Sequence, residues 1–238
     1  MSTKHYYVFN NFSGKCLDKD RWDMLRTDGT NPDFGLEATQ EEFESTCQKR
    51  SDCQTTATCI DDCLINTNTN CTDMISLGAG KGIVEWHLKK LRPDMRLTCA
   101  DFTEQALSRL KKLFPSCDQF LTFDILKDDY TRFPRTAIIL MHRISTEFTL
   151  QEWISIFERI HHAGIEHILF VPTELASIRL KITETVRHYA RRIIGKKDTF
   201  CGWLYSKVEI ERFFSGYEIV SRVPHADSAI YLLKRTNA

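Results

Sequence analysis

Two rhythms of apolar residues run along the 238-residue chain. Short continuous apolar runs fall at 74–77, 95–100, 120–123, 137–141 and 167–171. Between them lie stretches with apolar residues at helical spacing, over 83–91, over 104–114 through Ala106, Leu107, Leu110 and Leu113, and over 149–164. Continuous runs suit parallel strands covered on both faces, and the intervening helices supply the cover. The pattern predicts strands alternating with helices. Two further helices are predicted ahead of the first strand, over 37–50 and 55–66, separated by Ser51-Asp52, with polar residues 66–70 as the linker. Late in the chain come a long amphipathic stretch over 174–194, a helix over 206–214, and strands over 217–221 and 229–233. Those two strands, joined by a short loop with Pro224, are close enough in sequence to pair antiparallel.

The boundaries carry their own signals. Pro93 and Pro115 stop the helices before them. Thr149 followed by Glu152 reads as a capping box, with Phe148 stapled onto Trp153, and Ser206 with Glu209 repeats the box.

Residues 73–101 combine three features. A glycine cluster, Gly78-Ala79-Gly80-Lys81-Gly82, sits between the first strand and its helix, and Asp101 closes the second strand. Glycine lets the backbone take positive φ and lets a ligand lie against the main chain. The free N–H groups of the helix start attract negative charge. An acid roughly 20 residues past the turn accepts hydrogen bonds from ribose hydroxyls. Together these predict a site for a nucleoside cofactor.

A dinucleotide site requires G-x-G-x-x-G, and Ile83 stands at its third glycine. The spacing here is G-x-G-x-G, which resembles motif I of the class I S-adenosylmethionine (SAM) methyltransferases. The resemblance covers residues 70–235 and implies an α/β, Rossmann-like seven-stranded sheet, mostly parallel with an antiparallel last strand and helices on both faces. It implies SAM as cofactor, with Gly78, Ala79, Gly80 and Gly82 along its methionine part and Asp101 on its ribose. Asp124, after the third strand, would meet the adenine amino group, and Phe102 and Ile125 would enclose the ring. The family often has an acid two residues before the first glycine; Ser76 stands there, so contacts to the cofactor's amino group are expected to differ.

The resemblance divides the chain into residues 71–238, the SAM-binding domain, and 1–70, an N-terminal segment. Aromatic residues Tyr6, Tyr7, Phe9, Phe12, Trp22 and Phe34 mark its first part as a lid over the site or a strap over the core. Lys+Arg and Asp+Glu both total 32, a balance that argues against a nucleic-acid partner. No apolar run is long enough to span a membrane, and the first residues lack the apolar core of a signal peptide, so the cytoplasm is the expected location. Cys47, Cys53, Cys59, Cys63 and Cys71 lack the paired spacing of a zinc site and are expected to be reduced thiols without metal.

Methyl transfer needs alignment and a proton acceptor when the acceptor group carries a proton. His142, after the fourth strand, is the candidate base because an ordinary imidazole titrates near neutrality. Arg143, Glu147, Thr173 and Glu174 follow the fourth and fifth strands and are candidate substrate contacts. The expected activity is methylation of a small polar molecule, oxygen favoured over nitrogen. A nicotinamide-dependent oxidoreductase and a cofactor-binding protein without turnover are the alternatives.

Overall fold

The computed structural model describes residues 37–173 and 205–236, together with positions 175, 177, 182, 183, 186, 189, 190, 193, 194 and 203. The aromatic segment over 1–35, Glu174, and the basic positions Arg179, Lys181, Arg187, His188, Arg191, Arg192, Lys196 and Lys197 lie outside the described residues.

Helices α1 (Gln40–Lys49) and α2 (Ser51–Asn66) precede the first strand. Then come β1 (Asp73–Leu77), α3 (Ile83–Leu91), β2 (Arg96–Asp101), α4 (Glu104–Leu113) and β3 (Gln119–Thr122). The chain continues through β4 (Ile138–His142), α5 (Leu150–His162), β5 (His167–Val171), α6 (Lys207–Glu211), β6 (Tyr217–His225) and β7 (Ser228–Arg235). The seven strands form one sheet in the order β3-β2-β1-β4-β5-β7-β6. β1 to β5 are parallel, and β7 runs antiparallel to both its neighbours. Strand order reverses at β1, between β2 and β4, the place where an open α/β sheet forms a crevice at its carboxyl edge.

Each face of the sheet carries its own core. Phe43, Ala57, Ile60 and Leu64 of α1 and α2 pack with Val84 and Leu88 of α3 and Leu110 of α4 over Met74, Leu97, Ile138 and Leu140. On the opposite face Trp153, Phe157, Ile160 and Phe213 cover Ile75, Ile139, Met141 and Phe170. Alternate residues of β4 therefore serve opposite cores, and its continuous apolar run is the consequence.

Four boundaries depart from the sequence pattern. The break between the first two helices falls at Arg50 (ψ 73°), and Ser51 and Asp52 open α2. The Arg50 guanidinium grips the Asp52 carboxylate with two hydrogen bonds, at 2.8 and 2.7 Å, across this break. The fourth strand extends through His142. α6 stops at Glu211, because Phe213 and Phe214 turn into the core. Pro224 lies within β6, and the reversal falls at Ala226-Asp227, with Ala226 at φ 47°. β6 is an edge strand, so a missing N–H leaves its single ladder intact. Both capping boxes form as expected, and Phe148 meets Trp153 edge-on at 5.1 Å.

Trp153 is fully buried, stacks on Phe213 at 5.5 Å and donates through Nε1 to the Ser145 carbonyl at 3.0 Å. Trp153→Ala should lower the unfolding free energy by about 3–5 kcal/mol in urea titrations. A loss below about 1 kcal/mol would contradict this packing.

Candidate cofactor and active site

The glycine turn is built by backbone bonding to the neighbouring strand. The Ala100 carbonyl of β2 accepts from Gly78 N at 2.8 Å and from Ala79 N at 3.1 Å. Gly78, Gly80 and Gly82 have φ of 70°, 58° and 70°, the left-handed region that favours glycine. A Cβ on Gly78 would stand 2.8 Å from Ile144 Cγ2, so the loop after β4 closes against the turn. Gly82 N donates to Ala79 O at 2.9 Å, and Gly82 then caps α3.

Asp101 joins this turn directly. Its Oδ2 accepts from Gly80 N at 3.2 Å, while Oδ1 accepts from Thr103 N at 3.1 Å and Thr103 Oγ1 at 2.9 Å. The residue is 7 % exposed, yet both carboxylate oxygens have donors. The turn and the acid, 21 positions apart, thus share one hydrogen bond.

The adenine-side candidates are less uniform. Phe102 is half-buried beside Asp101. Asp124 is engaged within its own turn: Oδ1 accepts from Leu126 N at 3.0 Å, and Oδ2 pairs with Lys127 Nζ at 3.1 Å. Ile125 is buried in the second core, and its carbonyl accepts from Tyr130 Oη at 2.8 Å.

The β1–β4 register ends with Leu77 opposite Met141, so the candidate base follows one residue past that pair, as the glycine turn follows Leu77. His142 shares a strand face with Ile138 and Leu140, under α2. Its near-neutral titration does not hold. Although the residue keeps some exposure, burial of the ring, assisted by Arg143 and His225, pushes the pKa down to about 3. His225 is itself hydrogen-bonded to Thr56 of α2, Nε2 to Oγ1, at 2.8 Å.

Arg143 is exposed and adopts φ 58°, a conformation rare for a residue with a side chain. Its N–H donates to Val171 O at 2.8 Å, locking the ends of β4 and β5 together. Glu147 is exposed on the following turn. Thr173 is drawn in by a residue the sequence pattern did not mark. Ser145, 2 % exposed, accepts from Thr173 N at 2.9 Å and donates to Thr173 Oγ1 at 3.4 Å. His142, Arg143 and Thr173 therefore cluster where β4 and β5 end.

Two acids also escaped the sequence reading. Glu37 Oε1 pairs with Lys81 Nζ of the glycine turn at 3.0 Å, and Arg109 Nη2 donates to the Glu37 carbonyl at 3.1 Å. Glu85 of α3 lies 2 % exposed beneath Ser76. Lys81 and Glu37 are far apart in sequence, and nothing local marks either pairing. Among the described cysteines, burial raises the thiols of Cys47 and Cys71 to about 12 and Cys53 to about 11, which makes them poor nucleophiles and ligands near neutrality.

No protein-family model and no curated protein matches the sequence. Solved structures do match. Human N-acetylserotonin methyltransferase in complex with SAM aligns with a TM-score of 0.53 and 18% identity, over 70% of this chain and 48% of that one. This chain therefore spans about half the length of that protein. Magnesium protoporphyrin IX methyltransferase from Synechocystis, with bound S-adenosylhomocysteine, aligns with a TM-score of 0.55 and 14% identity over 91% and 93% of the two chains. A Rhodobacter sphaeroides protein carrying an alcohol dehydrogenase designation aligns with a TM-score of 0.53 and 12% identity, over 71% and 86%. At such identities the likeness is one of fold. With its strand order and reversed β7, the chain has the fold of the class I SAM-dependent methyltransferases.

Proposed function

We propose that the chain is a SAM-dependent methyltransferase acting on a small polar molecule, with oxygen favoured over nitrogen as the acceptor atom. The observation that carries this reading is the hydrogen bond between Gly80 of the turn and Asp101. It brings the two cofactor-binding features to one point of a fold shared with SAM- and S-adenosylhomocysteine-bound methyltransferases.

The residues present fit such a cofactor. Both lone pairs of Asp101 Oδ1 are used by Thr103, but the single long contact from Gly80 leaves Oδ2 open to a ribose hydroxyl. Ile83 speaks against a dinucleotide: it opens α3 and is 6 % exposed, where that cofactor class requires a third glycine.

When bound, SAM supplies an electrophilic methyl group on a sulfonium. The chain's task is then to hold the acceptor and receive its proton. Ser145 fixes Thr173 and the Arg143 amide fixes β4 to β5, which makes the acceptor side of the crevice rigid. With a pKa of about 3, His142 is neutral at every physiological pH and ready to accept a proton. It is also a weak base. A hydroxyl becomes strongly acidic as its oxygen gains the methyl group, so a weak base placed beside it suffices; this favours oxygen and especially a phenol-like hydroxyl.

Calorimetry should show saturable S-adenosylhomocysteine binding at micromolar concentrations and none for NADH. Absence of both heat and thermal stabilisation at high S-adenosylhomocysteine would contradict the reading. Asp101→Ala should weaken that binding by about 1–3 kcal/mol. His142→Ala should leave the affinity unchanged and lower kcat, by less than the roughly 10²–10⁴-fold that a base titrating near the working pH contributes.

The depressed pKa of His142 also sets the sign of two pH effects. In the native enzyme no acid limb should appear near the ordinary value of 6.5, because the imidazole stays neutral down to about 3; a limb at 6.5 would contradict the burial. The unfolded chain binds a proton at this residue as pH falls through 6.5, and the folded chain does not until about 3. Folding stability should therefore decline with acidification across that window, and less so in His142→Asn.

A further inference from the structure

Glu85 is a carboxyl group in a position that packing alone would fill with an apolar side chain. It is the third residue of α3 and is 2 % exposed. Its side chain turns inward onto β1, where Ser76 Oγ donates to Oε1 at 2.6 Å. Ser76 is 1 % exposed and pairs with Cys99 of β2 and Leu140 of β4, so the carboxyl lies against the central strands, at the β1 residue two positions before Gly78.

Among the described residues, no cation acts on the Glu85 carboxyl. Burial and the Asp101 carboxylate push the Glu85 pKa up; Ser76 and the residue's own amide pull it down, and the balance is upward. Cys53 of α2, Cys99 of β2 and Cys117 before β3 also feel its charge. Among the described residues, no lysine or arginine acts on its charge. An ionised carboxylate buried without a cation costs several kcal/mol, whereas an apolar residue of similar size is tolerated freely. Burial therefore favours the protonated form of this acid, beside the candidate ligand turn.

We infer that Glu85 is the counter-ion for a cationic group of the ligand held at the glycine turn. This rests on the proposed cofactor, whose methionine part carries an α-ammonium; Glu85 takes the role left open by Ser76, from one helix turn beyond the glycines. Arrival of the ammonium favours the ionised carboxylate, so the acid gives its proton to solvent as the pair forms. The Ser76 hydroxyl remains as donor to the charged form.

The test is S-adenosylhomocysteine titrated into native protein and Glu85→Gln by calorimetry, in buffers of different ionisation enthalpy, alongside the analogue lacking the amino group. Glutamine keeps the shape and neutrality of the protonated acid, so the variant should melt at the native temperature without ligand. Native protein should release about one proton per molecule bound, at pH values below the raised pKa. Glu85→Gln should release none and bind about 10–100-fold more weakly. The analogue should bind both proteins equally and release no proton. Absence of binding by native protein would overturn the cofactor reading and this inference with it. Binding by native protein that Glu85→Gln matches in affinity and proton release would overturn the role of Glu85 alone. If the variant fails to melt as native, the native protein decides: equal affinity and proton release for the ligand with and without its amino group would overturn the inference.

Discussion

The hydrogen bond from Gly80 to Asp101 is the contact on which the rest of the site depends. A glycine turn by itself is a loose segment, because glycine loses more conformational freedom on folding than other residues. Here the turn is fastened at Gly78 and Ala79 to the Ala100 carbonyl and at Gly80 to the next residue's carboxylate. These fastenings exist because β1 and β2 are parallel neighbours in register, Leu77 opposite Ala100. Parallel pairing in turn demands a crossover helix, and α3 begins at the last glycine of the turn. Sheet order, turn shape and the position of the acid are thus one constraint.

Electrostatics divide Asp101 from Glu85. Asp101 is buried, but three protein donors meet its oxygens, as a buried charge requires. Glu85 has a hydroxyl, its own amide and a like-charged neighbour, and is driven toward the neutral form. Carboxyls in such different surroundings are suited to different tasks: one is already met by protein donors, while the other would gain most from a cation brought by a ligand. His142 follows the same logic from the opposite sign. Burial denies it a proton, which removes it as a pH sensor and retains it as a neutral acceptor.

Features decided within a few residues were legible in the sequence. The fifth strand, the capping boxes at Thr149 and Ser206, and the glycine turn all lie where the pattern put them. The helix break at Arg50 was missed because no glycine or proline marks it; an arginine–aspartate grip does. Pro224 was read as a loop because the pattern does not reveal that β6 is an edge strand. The titration of His142 depends on α2 and His225, which the chain brings in from far along its length. Glu85 was read as one residue of a short helix with apolar spacing, but α3 has no solvent face over its first six residues, Ile83 to Leu88. An acid there is forced inward by its neighbours, and sequence periodicity carries no record of that enclosure.

The proposed role of the turn and Asp101 is to receive one nucleoside cofactor together. A crystal structure of the chain grown with S-adenosylhomocysteine tests it most directly. Density should run from Gly78 to Phe102, with a ribose hydroxyl in hydrogen-bond contact with Asp101 Oδ2 and the methionine part against Gly78 and Gly80. Ligand density elsewhere on the molecule, or a ribose turned away from Asp101, would contradict it.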